Sequence, residues 1–368
     1  MAIGLSGSAL VFQDEIRGAL RPGVYKAREV KGRASLNAMV EIAKKKFPAY
    51  TVGGIAGFDE LGNSLLLWMS PTAPNAPATG GINLYFNPHT GQFLGHRGQY
   101  QGVLGWAANL HYFLLMGASG AQVNGILAAV LFVLCLSGVA IWWQGSRNWQ
   151  RGFRFNLRAN WKCVNWDLHA NGGFLLSAVL LIFCLTGLYF EFPVSMATAV
   201  GKLAGMQAGE VPAPLTPPTA HASSGQHIGF DQAMETARRA LPPDAIATYL
   251  VAPPTPQAAY ALYAKHAGST LTSGQIAVYI DPCTGELLRQ TDSRTQPWVV
   301  KAILMSYPLH FGTWGGGTWD GSSEGTWSEM CSKTLWMPVG LTPGALFFTG
   351  FLMWWNRVVR WKWSSRST

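Results

Sequence analysis

Three stretches without Asp, Glu, Lys or Arg constrain this chain more than anything else in it. They are residues 125–143 (GILAAVLFVLCLSGVAIWW), 170–190 (ANGGFLLSAVLLIFCLTGLYF) and 335–355 (LWMPVGLTPGALFFTGFLMWW). Each holds 19 to 21 residues, the length of helix that crosses a hydrocarbon layer of about 30 Å at roughly 1.5 Å per residue. Their Trp and Tyr gather at the ends, where amphipathic rings favour the headgroup layer. Only 12% of the 368 residues are charged, about half the usual share of a soluble domain. That excludes a disordered chain and an ordinary soluble enzyme, and it predicts bilayer spans joined to soluble modules.

The basic residues orient the spans. Between the first two runs lie Arg147, Arg151, Arg154, Arg158 and Lys162 against one acid, Asp167; after the third run come Arg357, Arg360, Lys362 and Arg366 with none. Both segments are expected in the cytoplasm, with the long stretches 13–105 and 191–310 on the opposite side, which in a bacterium is the periplasm. The net charge of +9 is therefore a lipid signal. Basic residues that flank spans and interleave with Trp do not make a nucleic-acid patch.

This topology needs an outward span ahead of residue 13, but MAIGLSGSALVF is too short to cross and has no secretory-signal pattern. It reads as the second half of a truncated span. An internal repeat supports this. Leu5-Ser6-Gly7 resembles Leu185-Thr186-Gly187, and Asn87-Pro88-His89-Thr90-Gly91 resembles Asp281-Pro282-Cys283-Thr284-Gly285. Leu110-His111 resembles Leu309-His310, and Gly138 with Trp142-Trp143 resembles Gly350 with Trp354-Trp355. The order is the same in both halves, as in a parallel duplication about an axis along the membrane normal. On this pattern a counterpart of His169 would lie before Met1.

The soluble stretches also read alike. Ser35 opens a helix (SLNAMVEIAKKKF) that stops before Pro48, followed by strands LLLWM and INLYF. A second helix (FDQAMETARRAL) stops before Pro242-Pro243, followed by strands YALYAK and IAVYI. A Pro/Ala-rich linker, 209–224, separates them. The expected organisation is a truncated transmembrane helix 1 (1–12), a periplasmic α+β module (13–98), an interfacial helix with His111 (99–123) and transmembrane helix 2 (124–143). A basic loop (144–167), transmembrane helix 3 (168–190), and linker plus second module (191–297) follow. An interfacial segment with His310 (298–334), transmembrane helix 4 (335–355) and a basic tail (356–368) complete the chain.

The ordered motifs LSGSALVFQDEI, NLH, LHFGTWGG, CLSGVAIWW, CLTGLYF and GFLMWWNR resemble those of the PepSY-associated transmembrane family. The resemblance spans nearly the whole chain. It implies a polytopic α-helical membrane protein with two periplasmic PepSY-like modules. The family includes iron-regulated inner-membrane proteins, some of them haem-containing ferric-siderophore reductases. The chain departs from the family pattern in the short first span and in an apparent insertion at about 317–331.

Of eight histidines, only His111, His169 and His310 lie in or beside apolar membrane segments. Ionisable groups at that depth are costly and point to function, and His is a standard axial ligand of haem iron. No Cys-x-x-Cys-His is present, so the haem would be of the non-covalent b type. Symmetry pairs His111 with His310 on the periplasmic side, and His169 with the absent first-span histidine on the cytoplasmic side. A single haem or a crossed pairing stays open. A continuous helix from His111 to Trp142 would measure roughly 46 Å, too long for one crossing, so a break is expected at Gly117–Gly120.

Trp106, Trp142, Trp143, Trp314 and Trp354 fit interfacial anchors better than porphyrin-packing groups. Arg97 and Lys301 are candidates for haem propionates or lipid phosphate. Cys135 and Cys184 lie inside spans, whereas Cys283 and Cys331 share the periplasmic side, where a disulfide is permitted. No dinucleotide fingerprint is present, so electrons would come from membrane quinol or a partner reductase. The expected function is haem b electron transfer to a periplasmic ferric chelate or siderophore. The alternative is a non-enzymatic, membrane-anchored PepSY binding or inhibitory protein. A solute transporter is disfavoured, because the three apolar runs carry no Asp, Glu, Lys or Arg.

Overall fold

The computed structural model describes residues 1–25, 32–58, 63–73, 76–77, 80–143, 150, 153–206, 218, 227–255, 257–267, 269, 275–313 and 327–359. Most of the 209–224 linker, residues 317–326 of the apparent insertion, Trp314, and the basic residues Arg147, Arg151, Arg360, Lys362 and Arg366 lie outside them. The chain divides into two compact units: Met1–Val11, Ala107–Phe192 and Thr334–Thr368 form one, and Phe12–Trp106 with Pro193–Lys333 the other.

The first unit is built on α-helices. It holds α1 (Ala2–Leu10), the end of α5 (Gly102–Phe113), α6 (Ala118–Trp142), α7 (Trp161–Glu191) and most of α12 (Trp327–Trp354), which runs into a π-helical turn at Trp355–Val359. Among the described residues, three helical stretches are long and apolar enough to cross a membrane: Ala118–Trp142, Trp161–Glu191 and Met330–Val358. α1 has nine residues. The unit's polarity is inverted relative to a soluble protein: Val133, Leu134 and Phe347 face outward, while Ser6, Asn165, Asn171, Ser177, Thr186 and Thr342 are buried. Lipid is as apolar as Leu, so such helices gain by turning polar groups toward one another.

α7 starts earlier than the apolar run that announces it. Asn160 accepts hydrogen bonds from Lys162 N and Cys163 N, capping the helix at Trp161, so His169 lies inside the helix rather than at its start. The break ahead of α6 falls beside the expected glycines: Leu114, Leu115 and Gly117 take φ of 50°, 63° and 63°. α6 and α7 are antiparallel neighbours. At one end Trp142 Nε1 donates to Asn171 Oδ1 at 3.1 Å, and its ring stacks on Phe174 at 3.5 Å. At the other end Gly125 meets the side chains of Phe192 and Glu191. α1 docks on α12 through Ser8 Oγ, which donates to Met337 O at 2.8 Å.

The second unit contains α2 (Gln13–Leu20), α3 (Pro22–Tyr25), α4 (Leu36–Lys46), β1 (Tyr50–Ala56), β2 (Leu65–Pro71), β3 (Ile82–Phe86) and β4 (Phe93–Gly98). After α8 (Pro193–Leu203) come α9 (Phe230–Ala240), β5 (Ala245–Val251), β6 (Tyr260–His266), β7 (Ile276–Ile280), β8 (Leu287–Asp292), α10 (Trp298–Leu304) and α11 (Ser306–Phe311). The two α+β stretches read from the sequence as separate modules share one eight-stranded antiparallel sheet, in the order β4-β3-β2-β1-β5-β6-β7-β8. β1 and β5 pair through Ile55 opposite Leu250. A common core backs the sheet, with Met39, Ala43, Ala233 and Ala237 of the helices on Ile55, Leu84, Phe86, Leu250, Leu262 and Val278.

The two halves of the sheet carry matching detail. Asn87 Oδ1 accepts from His89 N and Thr90 N at 2.8 and 3.1 Å; Asp281 Oδ1 accepts from Cys283 N and Thr284 N at 2.8 and 3.0 Å. Each turn closes at a left-handed glycine, Gly91 or Gly285. These Asx turns end strands β3 and β7. The helices cap one another: Asp231 of α9 accepts from Ser35 Oγ (2.5 Å), Leu36 N (2.7 Å) and Asn37 N (3.1 Å), while Asn37 Oδ1 accepts from Asp231 N. Asn37 and Asp231 stand 194 residues apart, the same shift that carries Asn87 onto Asp281.

Candidate functional site

His111 sits near the end of α5, one residue pair before the chain breaks toward α6. Its Nδ1 lies 2.9 Å from Ile3 O and 3.4 Å from Ser6 Oγ, both on α1. Ser6 Oγ already donates to Ala2 O and Ile3 O, so both oxygens act as acceptors. Nδ1 is then the protonated nitrogen and the lone pair resides on Nε2. Burial pushes the His111 pKa below its ordinary value, outweighing the Ile3 hydrogen bond; the ring is neutral near pH 7. The imidazole also lies flush on α1, because Gly7 has no side chain: a Cβ there would stand 2.7 Å from His111 Cε1.

His169 repeats the arrangement with different elements. Its Nδ1 lies 2.9 Å from Thr349 Oγ1, which donates at 2.8 Å to Ala345 O. The hydroxyl proton is thus directed at the backbone, and the oxygen accepts from His169 Nδ1–H. Gly350, the next residue, provides the clearance, with a Cβ there 3.0 Å from His169 Cε1. Each histidine is therefore seated on a hydroxyl–glycine pair of an apolar helix, Ser6-Gly7 or Thr349-Gly350.

The two seats lie at opposite ends of the α6–α7 pair. His111 O accepts from Asn124 Nδ2 at 2.8 Å, near the start of α6, whereas His169 lies beside the Trp142–Asn171 contact at the end of α6. The helix between Asn124 and Trp142 spans roughly 27 Å, about one hydrocarbon thickness. His310 lies on α11 in the second unit, where its ring meets Phe311 edge-on at 5.7 Å.

His111 and His169 are the residues that would hold a haem iron if one bound here. An axial imidazole binds through one nitrogen while the other donates to an oxygen that fixes tautomer and tilt, and His111 and His169 both present this. Among the described residues, no three His, Cys, Asp or Glu side chains converge as a ligand set for a bare ion.

Other sequence candidates take plainer roles. Trp142 is buried and stacked on Phe174, which makes it a packing residue rather than an interfacial anchor, whereas Trp106, Trp143 and Trp354 are exposed. Lys301 Nζ donates to Arg294 O at 3.4 Å, and Arg97 Nε is buried with no hydrogen-bond partner among the described residues. Cys283 and Cys331 are not joined in a disulfide. Sequence reasoning missed the seats themselves, although Ser6-Gly7 and Gly350 were in view as repeat markers.

A family model described as PepSY-associated TM region matches residues 1–357 of the chain. None of the curated proteins compared with the chain matches it.

Proposed function

The chain belongs to the PepSY-associated TM family, and we propose that it is a haem b electron-transfer protein of the bacterial inner membrane that reduces a ferric chelate. The observation that carries this reading is the pair of imidazoles, His111 and His169, each with Nδ1 at 2.9 Å from an oxygen and seated on glycine, one at either end of the α6–α7 pair. Haem b supplies one-electron chemistry when bound. The chain's contribution is to fix each ring so that Nε2 carries the lone pair, to hold the rings in an apolar wall, and to separate the sites by about one hydrocarbon thickness. Neutral imidazoles add no charge to the apolar layer.

In this reading the sequence repeat makes His310 the periplasmic partner of His111, and His169 serves the cytoplasmic side. The matching turns and reciprocal caps of the two sheet halves support an ancestral parallel duplication. The basic residues flanking α7 and α12, Arg154, Arg158, Lys162 and Arg357, support a cytoplasmic C-terminus and a periplasmic sheet unit. Electrons enter from membrane quinol or a partner reductase and leave to a ferric chelate such as a siderophore, whose iron is held more weakly once ferrous.

The test is a mixing experiment on the full chain in detergent. Protein reduced with a quinol analogue and mixed anaerobically with ferric citrate loses its reduced haem band as a ferrous indicator develops. A reduced band that persists while no ferrous iron forms, with citrate and a hydroxamate chelate alike, refutes chelate reduction. Purified full chain with no Soret band refutes the haem reading and leaves the membrane-anchored binding protein.

A further inference from the structure

We propose that the sheet unit contains a binding site for a small multivalent oxyanion, a polycarboxylate or phosphate, clamped between Arg33 and Arg238. The site is a cavity of about 610 Å³ between the N-terminal turn of α4 and the exposed side of α9, with Leu36, Phe58 and Met234 among its apolar walls. Five charged side chains line it: Arg33, Arg238, Arg239, Asp231 and Glu235. Both acids are already engaged. Asp231 is occupied with the N-terminus of α4 through Ser35 Oγ, Leu36 N and Asn37 N, and Glu235 is paired with Arg239.

Two guanidinium groups remain. Among the described residues neither Arg33 nor Arg238 has a carboxylate partner, and the two are close enough to repel. Desolvation lowers the pKa of Arg33, and desolvation together with the Arg33 charge lowers that of Arg238. Both groups stay charged, because arginine does not lose its proton in a protein. Both side chains are exposed at the mouth of the cavity, and an anion between them would replace their mutual repulsion with attraction. The guanidinium fork matches carboxylate and phosphate geometry.

The feature occurs in one half of the sheet only. The 194-residue shift that carries Asn37 onto Asp231 puts His227 at the position of Arg33 and Lys44 at that of Arg238. Lys44 is neutralised by Glu41 at 3.1 Å. The unpaired arginines are therefore not a by-product of the repeated architecture. The site is independent of the haem reading, since it lies wholly within the sheet unit.

The experiment is calorimetric titration of the full chain in detergent, as isolated and at low salt, with citrate and with inorganic phosphate. The expected result is saturable binding that weakens with salt and falls roughly tenfold or more in each of R33Q and R238Q, while R239Q stays close to the wild type. Tighter citrate than phosphate binding assigns the site to polycarboxylates, and the reverse order assigns it to phosphates. Where a glutamine variant does not fold, phenylglyoxal labelling of the wild-type chain replaces it: citrate or phosphate protects Arg33 and Arg238 from modification while Arg21 reacts as before. Neither anion binding saturably, wild-type affinity in R33Q and R238Q, or labelling of both arginines unchanged by saturating anion overturns the proposal.

Discussion

Replacing Thr349 by valine isolates the support of one histidine. The side chain keeps its shape and loses one oxygen, the acceptor of His169 Nδ1–H at 2.9 Å. Thr349 Oγ1 also donates to Ala345 O at 2.8 Å, but that carbonyl belongs to helix α12 and keeps its place in the helical ladder. The net loss is one neutral hydrogen bond, about 1 kcal/mol, which leaves the ring with its Leu346 backbone contact alone on α12. If His169 is an iron ligand, the loss appears in affinity as well: removing such a partner typically weakens a metal site by about 10 to 100-fold. The assay is haem transfer from the purified protein to excess apomyoglobin, followed by the Soret band. T349V is expected to lose one haem population about 10 to 100-fold faster than wild type, with T349S close to wild type. Identical transfer from T349V, H169A and wild type would refute the reasoning, because it would mean that His169 supports no cofactor.

The other seat gives a steric counterpart. G7V puts branched carbon where a Cβ alone stands 2.7 Å from His111 Cε1; the expected outcome is lower haem content and a melting temperature below wild type in detergent, with overpacking costing about 1–3 kcal/mol. D231A removes the acceptor that caps α4 across the sheet's two halves and is expected to destabilise the sheet unit by about 1–2 kcal/mol in a denaturant titration. Acid should weaken the same unit through Asp244, whose carboxyl the Arg294 hydrogen bond holds below its ordinary value of 3.8. The folded state then binds fewer protons than the unfolded one, so this stabilisation is present above the ordinary value and lost as pH falls through the lowered one. Thermal melts below about pH 4 should show a shallower acid limb in R294Q than in wild type.

Much of the architecture was legible because it follows from periodicity and charge. Uncharged runs marked α6, α7 and α12, and the alternating segments INLYF and IAVYI became β3 and β7, with Ile82, Leu84 and Phe86 or Ile276, Val278 and Ile280 turned to the core. β1 was not legible: Gly53 and Gly54 interrupt its pattern, and they are small because the Trp68 indole lies across them. Nor was the union of the two modules visible, since the pairing of Ile55 with Leu250 joins segments that no local pattern connects. Among the site residues, His111 and His169 declared themselves by the cost of a titratable ring beside apolar sequence. Ser6, Gly7, Thr349 and Gly350 did not, because hydroxyl–glycine pairs are common in membrane helices and acquire meaning only when a ring is found on them.

The measurement that bears most directly on the central claim is haem content per polypeptide, with the dithionite-reduced spectrum, for wild type, H111A, H169A and the double variant purified in the same detergent. The account predicts a b-type spectrum in wild type, a partial and spectrally distinct loss in each single variant, and no specifically bound haem in the double variant. A double variant with wild-type haem content would contradict it.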